Sequence, residues 1–326
     1  MQYGKLSADS APKVYLAAVL LGVFLSVPLL FVEGEASVFL GYALPQLCYL
    51  AAIFGFLKFN RIRLSLAIPV RKKLHPVALL LCFAVTAGLF AQNLLPAVSF
   101  QWLLQAMGVN ATVVLPDFTK PATLILGVFI ICILPAMGEE MMFRGVALHS
   151  LRPKGQVTAV LLSAALFSLS HGNPAQLVHQ FFLGVVLAYL TLQTGTILYA
   201  MVIHFTNNLL AIVLPLLLPA FDGLAVCTPT NALILAAICI VGICVLYPSL
   251  SLLTKKVGGK QGFFGFFKKN AREACYNIDD ETEMNPAANN RSSERIWLVA
   301  LFVFMVIQLA VNTLLTAIPT LGQLLP

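Results

Sequence analysis

Charge is scarce in this chain, and that scarcity excludes most soluble protein classes. Only 10% of the 326 residues are Asp, Glu, Lys or Arg, whereas soluble globular chains carry roughly 25%. Hydrophobic residues make up 60%, and the mean hydropathy is +0.91. This composition is typical of a membrane protein with several spans. No basic stretch interleaved with aromatics occurs, so the net charge of +7 does not predict a nucleic-acid partner.

Local metal-binding motifs are also missing. The seven cysteines are scattered without CxxC spacing, and most of them lie in apolar runs, where cysteine behaves as a small buried hydrophobe. No HExxH sequence and no internal repeat of about 20 to 50 residues is present. Nothing in the local sequence therefore predicts a zinc motif or a repeat array.

Long apolar runs are abundant instead. A helix needs about 20 apolar residues to cross a bilayer, and lipid offers no partners for free backbone groups, so each span must be helical. The sequence predicts an all-α, polytopic transmembrane helix bundle of about eight or nine spans. The nine candidate spans lie near residues 13–32, 37–58, 76–96, 122–150, 156–171, 174–194, 196–218, 230–253 and 295–318.

Basic residues predict the orientation of the bundle. Eighteen of the twenty Lys and Arg residues fall in the N-terminal tail and in alternate loops, all on one side of a nine-span arrangement. Because basic loops stay in the cytoplasm, we expect a multi-pass protein of the cell membrane with a cytoplasmic N-terminus. The opposite loops carry Lys120 among several carboxylates, and Arg144 lies within a span.

The spans divide the chain into five parts. These are N-terminal transmembrane helices (1–121), core helices that carry the candidate site (122–218), one transmembrane helix (219–254), a cytoplasmic loop (255–294) and a C-terminal transmembrane helix (295–326). In the loop, GFFGFFKK can lie in the membrane interface with its phenylalanines facing lipid. The polar remainder is predicted to be partly disordered. A plain linker is the alternative interpretation.

Three charged residues interrupt the fourth span. The stretch GEEMMFRG, residues 138–145, places Glu139, Glu140 and Arg144 inside an otherwise apolar run, where charged groups cost several kcal/mol. Glu140 and Arg144 are four residues apart, so they can pair on one helix face. Glu139 is turned by about 100° from its neighbour, and it is free to face the bundle interior.

Two further pairs repeat the four-residue spacing in later spans. Phe167 and His171 can stack on one face, and His204 and Asn208 can present an imidazole and an amide together. The helical rise places all three sites roughly 12 to 22 Å from the basic side. We therefore expect one cavity that opens towards the cytoplasm. By contrast, His149, His179 and Asn207 are predicted to be structural.

Together these groups can support the attack of water on a carbonyl. A carboxylate in a pocket of low dielectric can move a proton, and an imidazole beside it can orient water. A second imidazole with an amide can donate to a developing oxyanion.

The three motifs, in this order, resemble a known family. EExxxR (Glu139, Glu140 and Arg144), FxxxH (Phe167 and His171) and HxxxN (His204 and Asn208) are similar to the motifs of the CPBP intramembrane proteases. This family is also called the CAAX-protease and bacteriocin-processing, or Abi, family. The resemblance covers about residues 122–215 and includes LQTGTILYAMVIHFTNN, which leads into the third motif.

The resemblance implies an all-helical, CAAX-protease-like core and hydrolysis of a peptide bond inside the membrane. In the family, the first glutamate activates water with help from the first histidine, and the second histidine and the asparagine stabilise the oxyanion. Carried over, the catalytic residues are Glu139, His171, His204 and Asn208. The supporting residues are Glu140, Arg144 and Phe167. The implied partners are the lipid bilayer and a peptide or membrane-protein substrate.

Two mechanisms stay open at this point. A metal-free glutamate route is favoured, because HExxH is absent and an asparagine is a better donor than ligand. The alternative is a Zn²⁺ ion bound by Glu139, His171 and His204, with water in the fourth position. In the metal-free route the protein needs no cofactor.

Other functions also fit these residues. Intramembrane carboxylates and histidines mark proton pathways in secondary transporters. A non-catalytic immunity or scaffold protein in the membrane is a third hypothesis. The sequence favours the endopeptidase.

Overall fold

The computed structural model describes residues 6–70, 74–109, 111, 113–268 and 291–317. Eight helices in this part of the chain are long and apolar enough to cross a membrane. The prediction of an all-helical bundle with about eight or nine spans is therefore confirmed. The principal helices are α1 (Ser10–Ser26), α2 (Glu35–Phe59), α3 (Leu64–Ala67), α4 (Pro76–Ala106), α5 (Pro121–Gly127), α6 (Leu134–Glu139), α7 (Leu148–Leu151), α8 (Gln156–Ser170), α9 (Leu177–Thr194), α10 (Leu198–Leu217), α11 (Pro229–Lys256), α12 (Phe263–Lys268) and α13 (Arg291–Ala317).

The fifth predicted span is a shorter helix. Helix α8 has 15 residues, which at 1.5 Å per residue gives about 22 Å, less than the roughly 30 Å of a bilayer core. It ends at Ser170, and His171 and Gly172 follow, the glycine in the left-handed region with φ +60°. The chain then turns into α9 within the bundle. This turn brings His171 inside the protein rather than to a surface loop.

Helices α4 and α11 cross at two glycines. A Cβ on Gly242 would lie 2.3 Å from the backbone nitrogen of Gln92, and one on Gly88 would lie 2.5 Å from that of Leu246. Small residues permit such close backbone approach in membranes, where packing rather than water exclusion holds helices together. Both positions therefore need glycine for this crossing.

Helix α12 departs from the expectation for the 255–294 loop. Phe266 is fully buried with its ring centroid 5.3 Å from that of Tyr189, while Phe264 is exposed. The hydroxyl of Tyr189 also donates to the carbonyl of Gln261 at 2.7 Å. The phenylalanines thus do not all face lipid, because Tyr189 offers one of them an aromatic partner inside the protein. Residues 269–290, where disorder is predicted, lie outside the described residues.

Candidate active site

The helix that carries Glu139, Glu140 and Arg144 changes from α-helical to π-helical hydrogen bonding at two places. Two π-helical segments, Val128–Ile133 and Glu140–Ala147, lie on either side of α6, and such segments are frequent at functional sites. Pro135 has no N–H to give to the carbonyl four residues back, that of Ile131. The side chain of Asn208 donates to this carbonyl at 3.0 Å. The carbonyl that Pro135 leaves without a helical partner is therefore hydrogen-bonded by Asn208, a residue of the HxxxN motif on another span.

Glu140 and Arg144 form the predicted ion pair. Nη1 of Arg144 lies 2.9 Å from Oε1 of Glu140, and both side chains are fully buried. The same carboxylate oxygen lies 2.7 Å from Nδ1 of His204. The guanidinium lies over the ring of Phe167 at 4.1 Å, a distance at which a cation is attracted to the ring. These contacts connect all three motifs through groups that face away from the cavity.

Glu139 is the point at which the motifs converge. Its Oε2 lies 3.7 Å from Nε2 of His204 and 4.0 Å from Nε2 of His171. This oxygen is buried and has no hydrogen-bond partner. Its Oε1 accepts a hydrogen bond of 2.6 Å from Nε2 of Gln46. One carboxylate oxygen of Glu139 therefore accepts a hydrogen bond from Gln46, and the other can accept one from a water molecule.

The hydrogen bonds of the two histidines determine which ring nitrogen faces Glu139 with a lone pair. Nδ1 of His171 lies 2.8 Å from the carbonyl of Phe167, and a carbonyl can only accept, so this nitrogen carries the hydrogen. Nδ1 of His204 likewise donates to the carboxylate of Glu140. In a neutral imidazole the other nitrogen is then an acceptor. Two Nε2 lone pairs and Oε2 of Glu139 thus converge, an arrangement that suits a water molecule or an added proton.

Phe167 holds both imidazoles in place. Its ring centroid lies 4.9 Å from that of His171 and 5.6 Å from that of His204, both edge to face. The structure thus shows the predicted packing of Phe167 against His171 as an edge-to-face contact, and the contact with His204 was not predicted. Because the ring is fully buried, it restricts both histidines to orientations that face Glu139.

Asn208 is used partly for structure. One of its amide hydrogens goes to the carbonyl of Ile131, and its Oδ1 lies 3.4 Å from Nδ2 of Asn207. Nδ2 of Asn207 also lies 3.3 Å from Nε2 of His179. Asn208 keeps a second amide hydrogen for a ligand. His179 and Asn207, predicted to be structural, line the same cavity.

A cavity of about 660 Å³ contains this site. Glu139, His171 and Asn208 line it, and His204 is 1% exposed and lies next to Glu139. Amide side chains from several helices complete the polar part of the lining: Gln46, Asn173, Gln176, Gln180 and Asn207. Apolar side chains make up the remainder, so the cavity can accept a chain segment with both polar and apolar parts.

The cavity lies towards the end of the bundle away from the basic loops. Its lining includes residues 113–115 of the loop between α4 and α5 and, within the described part of the chain, no residue from the basic loops. This lining favours an opening at that end, whereas the sequence predicts an opening towards the cytoplasm. Between Glu139 and the basic end, Met142, Phe143 and Arg144 are each no more than 1% exposed and close that path. The depth of each motif, counted in residues along its own helix, gives no information about which end of the bundle the cavity faces.

The alternative zinc site does not fit the side chains as they are placed. Two ligand atoms of a tetrahedral zinc with bonds near 2.0 Å lie about 3.3 Å apart, whereas the two imidazole nitrogens lie 3.7 and 4.0 Å from Oε2 of Glu139. Among the described residues, no group of three or more His, Cys, Asp and Glu side chains is spaced to hold a metal ion.

Comparison with known proteins decides which family this region resembles. Residues 121–210 match the family described as Rce1-like: Type II CAAX prenyl endopeptidase Rce1-like. The predicted resemblance over about residues 122–215 is thereby confirmed, and all seven motif residues lie in this Rce1-like segment. No curated protein and no solved structure matches the chain.

One contact of the site, between Gln46 and Glu139, lies outside the Rce1-like segment and is not predicted by the motifs. Gln46, on α2, is 5% exposed and donates to Glu139. A signal was available, since a polar amide in the apolar run of α2 is unusual at membrane depth. Its partner could not be read from the sequence, because 93 residues separate the two.

Proposed function

We propose that this protein is an intramembrane endopeptidase, which hydrolyses a peptide bond of a membrane-associated protein or peptide. The observation that carries this proposal is the position of Oε2 of Glu139, unpartnered and facing Nε2 of both His171 and His204. The match of residues 121–210 to an endopeptidase family supports it.

The first step is proton transfer from water. A water bound between Oε2 of Glu139 and Nε2 of His171 gives its proton to the carboxylate, and its oxygen forms a bond to the substrate carbonyl carbon. The carbonyl oxygen takes the negative charge. Glu139 then passes the proton to the amide nitrogen as the carbon–nitrogen bond breaks. The two products are a carboxylic acid and an amine.

The oxyanion needs donors on the other side of the carbonyl. Asn208 supplies its second amide hydrogen. His204 supplies an N–H from Nε2 when its ring is protonated.

Met142, Phe143 and Arg144 close the cavity on one side, so the site forms a chamber that is reached from the other side. A transporter in one of its alternating-access states is also closed on one side, and the proton-flux measurement below separates the two functions. With the basic loops in the cytoplasm, the chamber opens on the non-cytoplasmic side.

The test uses purified protein in liposomes with two fluorogenic probes, one ending in a farnesylated CAAX sequence and one that spans the membrane. Glu139→Gln and His204→Ala should each lower cleavage at least about 100-fold, the contribution of a general base or an oxyanion donor. Glu35→Gln is the matched control, since its carboxylate is exposed near the loop that ends at Lys120. Wild-type turnover in Glu139→Gln, or substrate-driven proton flux without cleavage, would refute the proposal.

A further inference from the structure

Gln46 is buried against the candidate base and belongs to a part of the chain that no comparison matched. It lies on α2, is 5% exposed and lines the cavity. Its amide must place nitrogen, not oxygen, towards Glu139, because a carboxylate accepts and a carbonyl cannot donate. The resulting bond of 2.6 Å to Oε1 is short, as expected for a hydrogen bond to a charged acceptor.

The backbone is built to hold this amide close. A Cβ on Gly138, the residue before the base, would lie 2.8 Å from Oε1 of Gln46 and 3.2 Å from its backbone oxygen. An alanine at this position would displace the amide of Gln46 and push α2 away by a few tenths of an ångström. Oε1 of Gln46 is itself buried without a partner. The position of the amide therefore leaves its own oxygen without a hydrogen bond, while its nitrogen donates to Glu139.

The consequence is a carboxylate with one oxygen held and one free. With Oε1 of Glu139 held by the amide, rotation about the last side-chain bond is restricted. Oε2 is then directed at Nε2 of His171 and His204. An amide achieves this without adding positive charge, whereas a lysine or arginine there would neutralise the base. Glu140 shows the contrast, since its Oε1 is paired with Arg144.

We propose that Gln46 is a positioning residue, which orients the carboxylate of Glu139 so that its free oxygen can take the proton from water. The inference rests on the proposed function for its chemical meaning. The contact between Gln46 and Glu139 can be measured without any substrate, so the role of Gln46 and the proposed function can be refuted separately.

The variants are Gln46→Leu, which removes the donor, and Gln46→Met, which keeps the length of the side chain but cannot donate a hydrogen bond. The matched control is Gln193→Leu, because Gln193 is 3% exposed and accepts from the backbone of Gln261, away from the cavity. Thermal unfolding in detergent checks that each variant folds. For the two cleavage probes, kcat should fall about 10- to 100-fold in both Gln46 variants, the effect of a displaced catalytic group. KM should change less than about twofold.

A spectroscopic measurement separates the two hypotheses. The infrared carboxyl band of Glu139 is assigned by its loss in Glu139→Gln. It should move to higher frequency in Gln46→Leu, where it loses a donor, and stay unchanged in Gln193→Leu. A wild-type protein that cleaves neither probe while this band moves would overturn the proposed function and support the contact. An unmoved band, or wild-type kcat in folded Gln46→Leu, would overturn the role of Gln46.

Discussion

Arg144→Met tests whether the buried ion pair holds the three motifs together. The substitution keeps a long apolar side chain over Phe167 but removes the guanidinium. Among the described residues, the carboxylate of Glu140 then keeps only His204 as a charged or polar partner. Because both members of the pair are fully buried, solvent does not screen the loss.

The magnitude follows from the cost of an uncompensated buried charge. Removing one partner of such a pair destabilises a protein by about 3–5 kcal/mol, or a roughly 150- to 5,000-fold shift in the unfolding equilibrium. Adding Glu140→Gln removes the stranded charge as well. The double variant should therefore recover part of the loss, with a coupling energy of about 2–3 kcal/mol.

The assay is reversible unfolding in mixed micelles, followed by circular dichroism as the denaturing detergent increases. Wild type, Arg144→Met, Glu140→Gln and the double variant form a complete cycle. Lys13→Met is a useful control, since its pair with Asp9 is partly exposed and worth at most about 1 kcal/mol. A loss below about 1 kcal/mol in Arg144→Met, or strictly additive effects, would refute the reasoning.

Three other predictions follow from single features. Gly138→Ala should cost about 1–3 kcal/mol of stability and reduce probe cleavage as Gln46→Leu does. Gly55→Ala on α2, where a Cβ meets nothing within 4 Å, should leave both unchanged. Asn312→Leu removes the donor to the turn after α8 and should cost about 1 kcal/mol, measured by thermal unfolding in detergent. Cys227 is exposed and lies on the side of the membrane that is predicted to be outside, so it should react with a membrane-impermeant maleimide in intact cells. Protection of Cys227 from the maleimide would contradict the predicted orientation.

The sequence by itself determined the class of protein and the chemistry of its groups. Scarce charge and long apolar runs require a helical bundle, because lipid cannot satisfy an exposed backbone. The four-residue spacing of Glu140 and Arg144 sufficed for their pairing, since one turn of helix brings such positions together. Local geometry of this kind is contained in the chain, and so is the order of the three motifs.

Only the tertiary structure decided how those groups meet and from where they are reached. The contact between Gln46 and Glu139 depends on how closely α2 packs on α6, and the direction of the cavity depends on which helix ends separate. Neither the contact nor the direction of the cavity follows from a periodicity or a residue spacing in the sequence. Both arise from contacts between residues far apart in the chain, where the fit of side chains, such as Gly138 against Gln46, sets the distance between helices.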